Sequence, residues 1–438
     1  MTKKNKIKAT IAASAGLIII LSIFFEVRRA SVLNPECSSL SKEEKNLLSD
    51  KLENLYPERL QRLHPLPYKN QAGFDINSGS AVLIDTATGN ILYEKNPDTL
   101  IPPASMTKLV EMAVVFEDVK NGKIKLTDTV PLPPESWAEN LPWDASRMGL
   151  KKDDKVDLKT LLTGLAVASA NDGSIAVANY VEGRMDKFVA RMNSLIHNLG
   201  LKNTFFVESS GYSAQNITTA REFTDFSLWY ITSFPESLKD YHSVKEFTYP
   251  EHNGWTISNT NKLLDELEGC DGLKTGFIDE SGYNIALTAV RNGQRYLAVI
   301  MNGPGRSTLE GNYYRQIDGT RLMDYAFNNF ESYRPEEKYE YVISNPGCKE
   351  EAFKLIPAEK LDFTIPKAAH GKIQCKVIKP DFVSEEVNAG QVLGKLIFHA
   401  DNVALRTVDL VSDRTTTQKS GPGLIADKII VWSLRRSM

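Results

Sequence analysis

The chain has 438 residues, long enough for two domains with substantial buried cores. Hydrophobic residues make up 42% and charged residues 24%, a composition typical of a globular protein and not of a disordered chain. The formal net charge of -3 provides no basic field that could collect phosphates, so no nucleic-acid partner is expected.

The N-terminus carries a basic segment followed by an apolar one. Four lysines within residues 3–8 precede an apolar run from Ala9 to Phe25, and its 17 residues are the lower limit for a helix that crosses a bilayer. Glu26, Arg28 and Arg29 occupy the stretch where a removed signal sequence would have small residues. We therefore predict a membrane anchor over 1–30, with a cleaved signal sequence or a buried core helix as alternatives. The lysines place the bulk of the chain on the extracytoplasmic side.

The next predicted elements build a mixed α/β domain. Residues 31–72 are polar, include a helical stretch near 43–62 and are interpreted as a stalk. Strand, helix and strand patterns then follow one another and predict a single domain over 73–333. Its elements are a hairpin of 80–85 and 90–95, helices over 106–120, 158–168, 172–181, 186–199 and 220–234, a strand from 273, a hairpin of 283–291 and 296–301, and a helix over 320–330. The helix over 106–120 is apolar on most faces, which predicts a central, buried position.

The pattern changes after Pro335. Short alternating stretches at 363–365, 373–378, 392–398 and 404–410 are separated by proline and glycine and predict a small all-β domain over 336–415. The last residues, 424–438, form a basic amphipathic segment suited to an anionic membrane surface, with a final strand or a loose tail as the alternative.

The cysteines do not indicate a disulfide scaffold or a metal site. Cys37, Cys270, Cys348 and Cys375 are too few for a scaffold and lack the spacing of zinc ligands. Cys348 and Cys375 could pair in an exported domain, and unpaired thiols are the equal alternative. No metal and no cofactor is expected.

The first catalytic candidates are Ser105 and Lys108. A Ser-His-Asp mechanism is disfavoured, because the chain has no G-x-S-x-G elbow. Ser105 and Lys108 lie three residues apart at the start of the buried helix, so hydroxyl and amine share one helical face. Burial favours the neutral form of a lysine, which suits a general base. The pattern alone is weak, since Ser39 and Lys42 repeat it within the predicted stalk.

Two further motifs follow in the chain. Ser169-Ala170-Asn171 stands at a helix end and offers a hydroxyl and an amide. Lys274-Thr275-Gly276 begins a strand, where the glycine permits close approach and the two side chains offer charge and a hydroxyl to an anionic substrate. Each motif also has a purely structural interpretation. Ser169 could be a helix cap, Asn171 a turn former and Lys274 a solvated lysine at the start of a strand. The three motifs in this order make a shared catalytic role the better interpretation.

With these motifs the chain resembles the penicillin-binding serine enzymes, and more closely the D-alanyl-D-alanine carboxypeptidases of peptidase family S11. The resemblance covers roughly 79–330 and extends to 102–109, 145–150, 167–172, 199–204 and 271–276. It implies a serine β-lactamase/transpeptidase-like α/β (α+β) core, in which an antiparallel sheet packs with a helical cluster, and a small C-terminal all-β sandwich domain. It also implies a cell-membrane enzyme whose catalytic domain is extracytoplasmic.

The resemblance assigns roles to the motif residues. Ser105 would be acylated by peptidoglycan stem peptides, or by β-lactams, with Lys108 as base. Ser169 and Lys274 would assist proton transfer, while Asn171, Thr275 and Gly276 would contact substrate. The amides of Ser105 and of a residue just after Gly276 would form the oxyanion hole. An arginine should hold the substrate carboxylate: counting back from the last helix assigns Arg315, whereas counting forward from the hairpin gives Asn312, with Arg306 nearby.

Three alternatives remain open. A DD-endopeptidase would use the same residues on cross-linked peptides. A β-lactamase would need a further glutamate, and Glu182, Glu208 and Glu222 lie in the relevant interval without the expected surrounding sequence. A catalytically silent wall-binding protein would keep the fold without acylation.

Overall fold

The computed structural model describes residues 3–249 and 254–437. Its α-helices are α1 (Lys3–Leu33), α2 (Lys42–Leu55), α3 (Thr107–Lys120), α4 (Leu158–Val167), α5 (Asn171–Glu182), α6 (Met185–Asn198), α7 (Ala220–Ser233), α8 (Leu263–Glu266), α9 (Thr308–Asn329) and α10 (Pro422–Ser437). Its strands are β1 (His64–Pro65), β2 (Ser80–Asp85), β3 (Asn90–Lys95), β4 (Thr129–Val130), β5 (Val156–Asp157), β6 (Glu246–Tyr249), β7 (Trp255–Ser258), β8 (Cys270–Ile278), β9 (Gly282–Arg291), β10 (Gln294–Gly303), β11 (Phe330–Tyr333), β12 (Tyr341–Ser344), β13 (Ala352–Pro357), β14 (Phe363–Pro366), β15 (Gln374–Ile378), β16 (Val392–Ala400) and β17 (Val403–Ser412).

The described residues divide into two compact units. The first, here the catalytic unit, comprises those of Arg62–Tyr333 and Phe363–Ala368. The second, here the terminal unit, comprises those up to Gln61, those of Arg334–Asp362 and those from Ala369 onward.

A six-stranded sheet organises the catalytic unit, in the order β1-β3-β2-β10-β9-β8. β1 pairs in parallel with β3, and the other neighbouring strands are antiparallel. Side chains of β10 alternate between two cores: Leu297 and Val299 join the core that includes α3, whereas Ala298 and Ile300 join the core that includes α9. Both faces are therefore covered, which explains why the central strands are apolar at successive positions.

Helix α3 lies in the middle of the first of these cores, as its composition predicts. Every residue from Thr107 to Phe116 is buried, including Lys108 and Glu111. Its first turn thereby brings polar groups into a water-poor interior, where an unpaired charge is costly.

The terminal unit is built on a five-stranded sheet, ordered β12-β13-β17-β16-β15. Helix α2, in the segment interpreted as a stalk, starts with a capping box of Ser41 and Glu44. Its buried Leu48 and Leu52 pack in a cluster with Val411 of β17.

Helices α1 and α10 meet in the same unit. Val32 of α1 packs with Ile430 and Leu434 of α10. Arg28 adds ion pairs to Asp427 (2.8 Å) and Glu351 (2.6 Å). In the part of the chain that the structure describes, no helix has the length and apolar composition needed to cross a bilayer.

Three details differ from the sequence-based predictions. The helix expected over 320–330 begins at Thr308, because Ser307 accepts a hydrogen bond from the Glu310 amide and caps it. Strand β14, expected in the C-terminal domain, pairs with β11 in the catalytic unit, where the Phe363 ring packs edge-on against Tyr333. All four cysteines are free, so Cys348 and Cys375 do not pair.

Candidate active site

Ser105 lies in a short 3₁₀ turn, Ala104–Met106, that leads into α3. Two glycines allow other segments to approach this turn closely. A Cβ added at Gly211 would lie 1.9 Å from the Ala104 carbonyl oxygen, and one added at Gly276 would lie 3.1 Å from the Ser105 amide nitrogen. Strand β8 and the segment around Gly211 can therefore pack directly on the serine only because these positions lack side chains.

Lys108 points towards Ser105 from the next turn. Its Nζ donates to Ser105 Oγ (3.2 Å), to Asn171 Oδ1 (2.6 Å) and to the Ser210 carbonyl. All three acceptors are uncharged, so the amine is fixed in position without a carboxylate partner. Burial lowers the pKa of Lys108 to about 8, although Glu111, Glu208 and Asp172 act in the opposite direction.

Ser169 and Asn171 enter the site from the junction of α4 and α5. Ser169 has φ of 55°, a left-handed conformation that is unusual for serine and places its hydroxyl beside β8. Lys274 Nζ donates to Ser169 Oγ at 3.0 Å. Ser169 is 4% exposed and Asn171 6% exposed, so both side chains are largely shielded from solvent.

The β8 motif supplies the second lysine. Lys274 is 1% exposed, and its burial, together with the positive charges of Lys108 and Arg315, holds its pKa well below the usual range. Thr275 Oγ1 donates to Thr260 Oγ1 at 2.7 Å, which leaves a lone pair on the Thr275 hydroxyl.

Of the candidate positions on α9, Arg315 lies beside the motif. Its Nη2 donates to the Gly276 carbonyl and its Nη1 to Asn312 Oδ1 (2.8 Å). The guanidinium also lies 4.9 Å from the centre of the Tyr283 ring. Burial lowers the pKa of Arg315 to about 10, so it stays cationic near neutral pH. Arg306 is exposed, with its backbone amide bonded to Glu310.

Two carboxylates that the motif analysis did not assign also shape the site. Asp172 accepts hydrogen bonds from the amides of Met148 (3.0 Å), Gly149 (2.7 Å) and Leu150 (3.0 Å), which fixes that loop beside Asn171. Asp172 directly follows the Ser169 motif in the sequence, but nothing in the pattern indicates which amides it binds.

Glu208 likewise binds backbone amides, in the segment that contacts Lys108. It accepts hydrogen bonds from the amides of Ser210 and Gly211, both at 2.7 Å, and so holds the carbonyl that Lys108 contacts. The other two glutamates weighed for a β-lactamase are engaged elsewhere: Glu182 pairs with Arg191, and Glu222 accepts from the Asn203 amide. Within the described ranges, no group of three or more His, Cys, Asp or Glu side chains could hold a metal ion.

Comparison with known proteins decides the family. The family model for peptidase S11, described as D-alanyl-D-alanine carboxypeptidase, matches residues 67–305, more than half of the chain. The chain belongs to peptidase family S11. A second model, the C-terminal domain of penicillin-binding protein 5, matches residues 328–418 of this S11 chain. The expected carboxypeptidase family and core fold are thereby confirmed, and the protein is a serine-type D-alanyl-D-alanine carboxypeptidase.

Individual relatives agree with this assignment. The S11 chain is 32% identical to the D-alanyl-D-alanine carboxypeptidase DacA of Haemophilus influenzae over 76% of its own length and 84% of the relative's. Penicillin-binding protein 5 from Haemophilus influenzae is similar in structure, with a TM-score of 0.68, 28% identity and coverage of 80% of this chain and 100% of that one. Penicillin-binding protein D2 from Listeria monocytogenes, solved with ampicillin bound, has a TM-score of 0.51, 27% identity and coverage of 59% and 100%.

Proposed function

We propose that this carboxypeptidase removes the terminal D-alanine from peptidoglycan stem pentapeptides through an acyl-enzyme on Ser105. The observation that carries the proposal is the buried Lys108 amine, 3.2 Å from Ser105 Oγ and bonded to uncharged acceptors. A lysine with a pKa of about 8 is partly neutral near neutral pH, and in that form it can accept the serine proton.

In the acylation step, Ser105 Oγ attacks the carbonyl carbon of the penultimate D-alanine while its proton passes to Lys108. The developing oxyanion is bound by the amide of Ser105 and by that of Phe277, the residue after Gly276. The C–N bond then breaks, and the terminal D-alanine leaves as an amine after receiving a proton. Ser169 and Lys274, 3.0 Å apart, carry that proton to the leaving nitrogen. Water hydrolyses the ester in the second step.

Substrate binding divides between two sides of Ser105. Asn171 holds the peptide amide on the side of α5. Arg315, Thr275 and the close backbone approach at Gly276 form the subsite for the terminal carboxylate. Arg315 provides the positive charge of this subsite, because its guanidinium, with a pKa of about 10, stays protonated near neutral pH. Burial and the neighbouring cations instead hold the pKa of Lys274 well below its usual range.

The same subsite distinguishes peptides from antibiotics. We predict that Arg315→Ala lowers kcat/KM for a pentapeptide by about 10²-fold, because a charge-assisted bond to the substrate carboxylate is lost. Uncharged penicillin esters should acylate this variant at nearly the wild-type rate. An equal loss on both compounds would show that Arg315 acts through the Gly276 carbonyl it contacts and not through the substrate.

The test of the nucleophile uses the full chain. Intact mass after mixing with benzylpenicillin should show a penicilloyl adduct on Ser105, and a diacetyl-Lys-D-Ala-D-Ala peptide should release D-alanine. Ser105→Ala should lose both while keeping its melting temperature. An adduct that persists in Ser105→Ala would contradict the assignment. An adduct that vanishes within seconds would favour a β-lactamase, and turnover of cross-linked dimers in preference to pentapeptide would favour an endopeptidase.

We also propose the domain arrangement and the location. Residues 73–333 form the extracytoplasmic catalytic domain, 336–415 the C-terminal β domain, and the 1–30 and 424–438 segments attach the protein to the membrane. Support comes from exposed apolar side chains such as Leu21 and Phe24 on α1 and Trp432 on α10. The ion pairs of Arg28 favour an N-terminal segment that is retained, because its removal would leave Asp427 without that partner. Flotation with anionic vesicles, compared between the full chain and a chain without 424–438, tests this attachment.

A further inference from the structure

Two polar contacts join helices α3 and α5, and they lie one helical turn apart on both helices. Lys108 of α3 contacts Asn171 of α5 at 2.6 Å. Three residues further along each helix, Glu111 Oε2 lies 2.7 Å from Ser174 Oγ. Because positions three apart lie on the same face of a helix, the second contact repeats the first one turn deeper in the core.

A third segment takes part in both contacts. The Ser210 carbonyl accepts a hydrogen bond from Lys108, and the neighbouring Ser209 places its Oγ 2.7 Å from Ser174 Oγ. The upper contact thus joins Lys108, Asn171 and Ser210, and the lower contact joins Glu111, Ser174 and Ser209. Together they fix α3, α5 and the 209–210 segment to one another around the amine of Lys108.

The lower contact reduces the free energy of unfolding, because it requires a buried carboxyl group. Glu111 is fully buried, and its Oε1 has no hydrogen-bond partner among the described residues. A leucine at this place would avoid the desolvation cost of the carboxyl group. A buried polar group that costs stability can be retained because it fixes one arrangement of the elements around it. Glu111 lies one helical turn from Lys108, the proposed base.

The surroundings of Glu111 favour the protonated form of its carboxyl group. Burial raises its pKa well above the usual range, while Ser174 and the Lys108 amine act in the opposite direction and Glu208 adds to the rise. The other ionisable groups that influence Lys108 are Asp172 and Glu208, each held by several backbone amides. The raised pKa of Glu111 favours its protonated form, so this carboxyl group joins the helices with less negative charge beside Lys108 than an exposed glutamate would carry.

We propose that Glu111 is a positioning residue for acylation, which holds the Lys108 amine against Ser105 through Ser174 and Ser209. The proposal rests on the proposed role of Lys108 as the base. Glu111 touches neither substrate nor the reacting atoms, so its effect passes through the placement of α3 on α5. If the Lys108 amine is displaced by a fraction of a bond length, the protein still binds substrate, but the amine accepts the serine proton less often.

The test compares two replacements in the full-length protein. Glu111→Leu removes the polar contact and introduces an apolar side chain of similar size. Glu111→Gln retains a side chain that can form the hydrogen bond and carries no charge. The rate of Ser105 acylation by a fluorescent penicillin is measured over a pH range that brackets the Lys108 pKa of about 8. We expect Glu111→Leu to acylate about tenfold to hundredfold more slowly at an equal or higher melting temperature. Glu111→Gln should restore the rate to within about threefold with the same pH midpoint.

Two results would overturn the proposal. Wild-type acylation by Glu111→Leu would show that the lower contact does not position the base. A slow Glu111→Gln with its pH midpoint moved downward would show that Glu111 acts as an anion, because loss of a negative neighbour lowers the pKa of a lysine. If Glu111→Leu fails to fold, Ser174→Ala breaks the same contact and should also slow acylation; a wild-type rate there would equally refute the proposal. Failure of the wild-type protein itself to label at Ser105 would instead refute the nucleophile on which the proposal rests.

Discussion

Charged side chains serve different ends in the catalytic unit and in the terminal unit. In the catalytic unit, Lys108 and Lys274 are buried and bonded to hydroxyl, amide and carbonyl oxygens, and the pKa of each falls. In the terminal unit, Arg28 is bonded to two carboxylates, first Asp427 and then Glu351, and its pKa rises. Burial without a directly bonded carboxylate thus lowers the pKa of a cationic side chain, whereas direct pairing with carboxylates keeps the charge and holds a helix in place.

The sharpest way to break this comparison is to remove the buried amine. Lys108→Met should lower the rate of Ser105 acylation by about 10³-fold, since the general base is lost. The melting temperature should stay the same or rise, because an apolar group replaces a desolvated cation. The rate is read from penicillin labelling and the stability from thermal unfolding. A variant that unfolds at lower temperature would mean that Lys108 contributes to the structure as a paired charge would.

A smaller loss of acylation rate is expected from replacing Asp172, whose carboxylate bonds to backbone amides and not to a cationic side chain. Asp172→Ala leaves the amides of Met148, Gly149 and Leu150 without their acceptor, which should cost about 2–4 kcal/mol of unfolding free energy. Acylation should slow as well, because the same loop accepts the Asn171 amide through the Ser146 carbonyl. Urea unfolding measures the first effect. Ser194→Ala, at an exposed hydroxyl on α6, is a matched control that should change neither quantity.

The smallest effect is expected in the terminal unit. Arg28→Ala should cost about 1–2 kcal/mol of stability, because Asp427 is 3% exposed but keeps Lys419 as a partner at 3.0 Å. Acylation of Ser105 should be unchanged. The stabilisation should also disappear in acid: burial alone would raise the pKa of Asp427, but Arg28 and Lys419 lower it overall. The contribution is thus present above the carboxyl's unfolded pKa and lost as pH falls through the folded one. Equal acid sensitivity in wild type and variant would contradict this.

Sequence motifs predict some of the candidate site residues but not others. Each of the candidates Ser105, Lys108, Ser169, Asn171 and Lys274 stands in a short sequence pattern. In the structure, Lys108 bonds to Ser105 and Asn171, and Lys274 bonds to Ser169. The sequence leaves Arg315 ambiguous, because its assignment depends on counting through a segment of uncertain length. The sequence Ser307-Thr308-Leu309-Glu310 is a helix-start signature, and reading it would have extended α9 and favoured Arg315.

Other features could not be obtained from local patterns. Glu111 looks like an ordinary helical glutamate, and only the packing of α3 on α5 shows that it is buried opposite Ser174. Asp172 and Glu208 act on loops many residues away or on backbone amides, which carry no sequence signal. Strand β14 has the alternation of any half-buried strand, so its pairing with β11 depends on tertiary contacts such as that of Thr364 with Asp85.

The most direct test of the central claim is the pH dependence of Ser105 acylation in the wild-type protein. The claim is that Lys108 accepts the serine proton and is neutral enough to do so because it is buried and bonded only to uncharged acceptors. The acylation rate should therefore rise about tenfold per pH unit in acid and level off above pH of about 8, the pKa of Lys108. A rate that does not change across this range, or a midpoint near that of an ordinary lysine, would contradict the account.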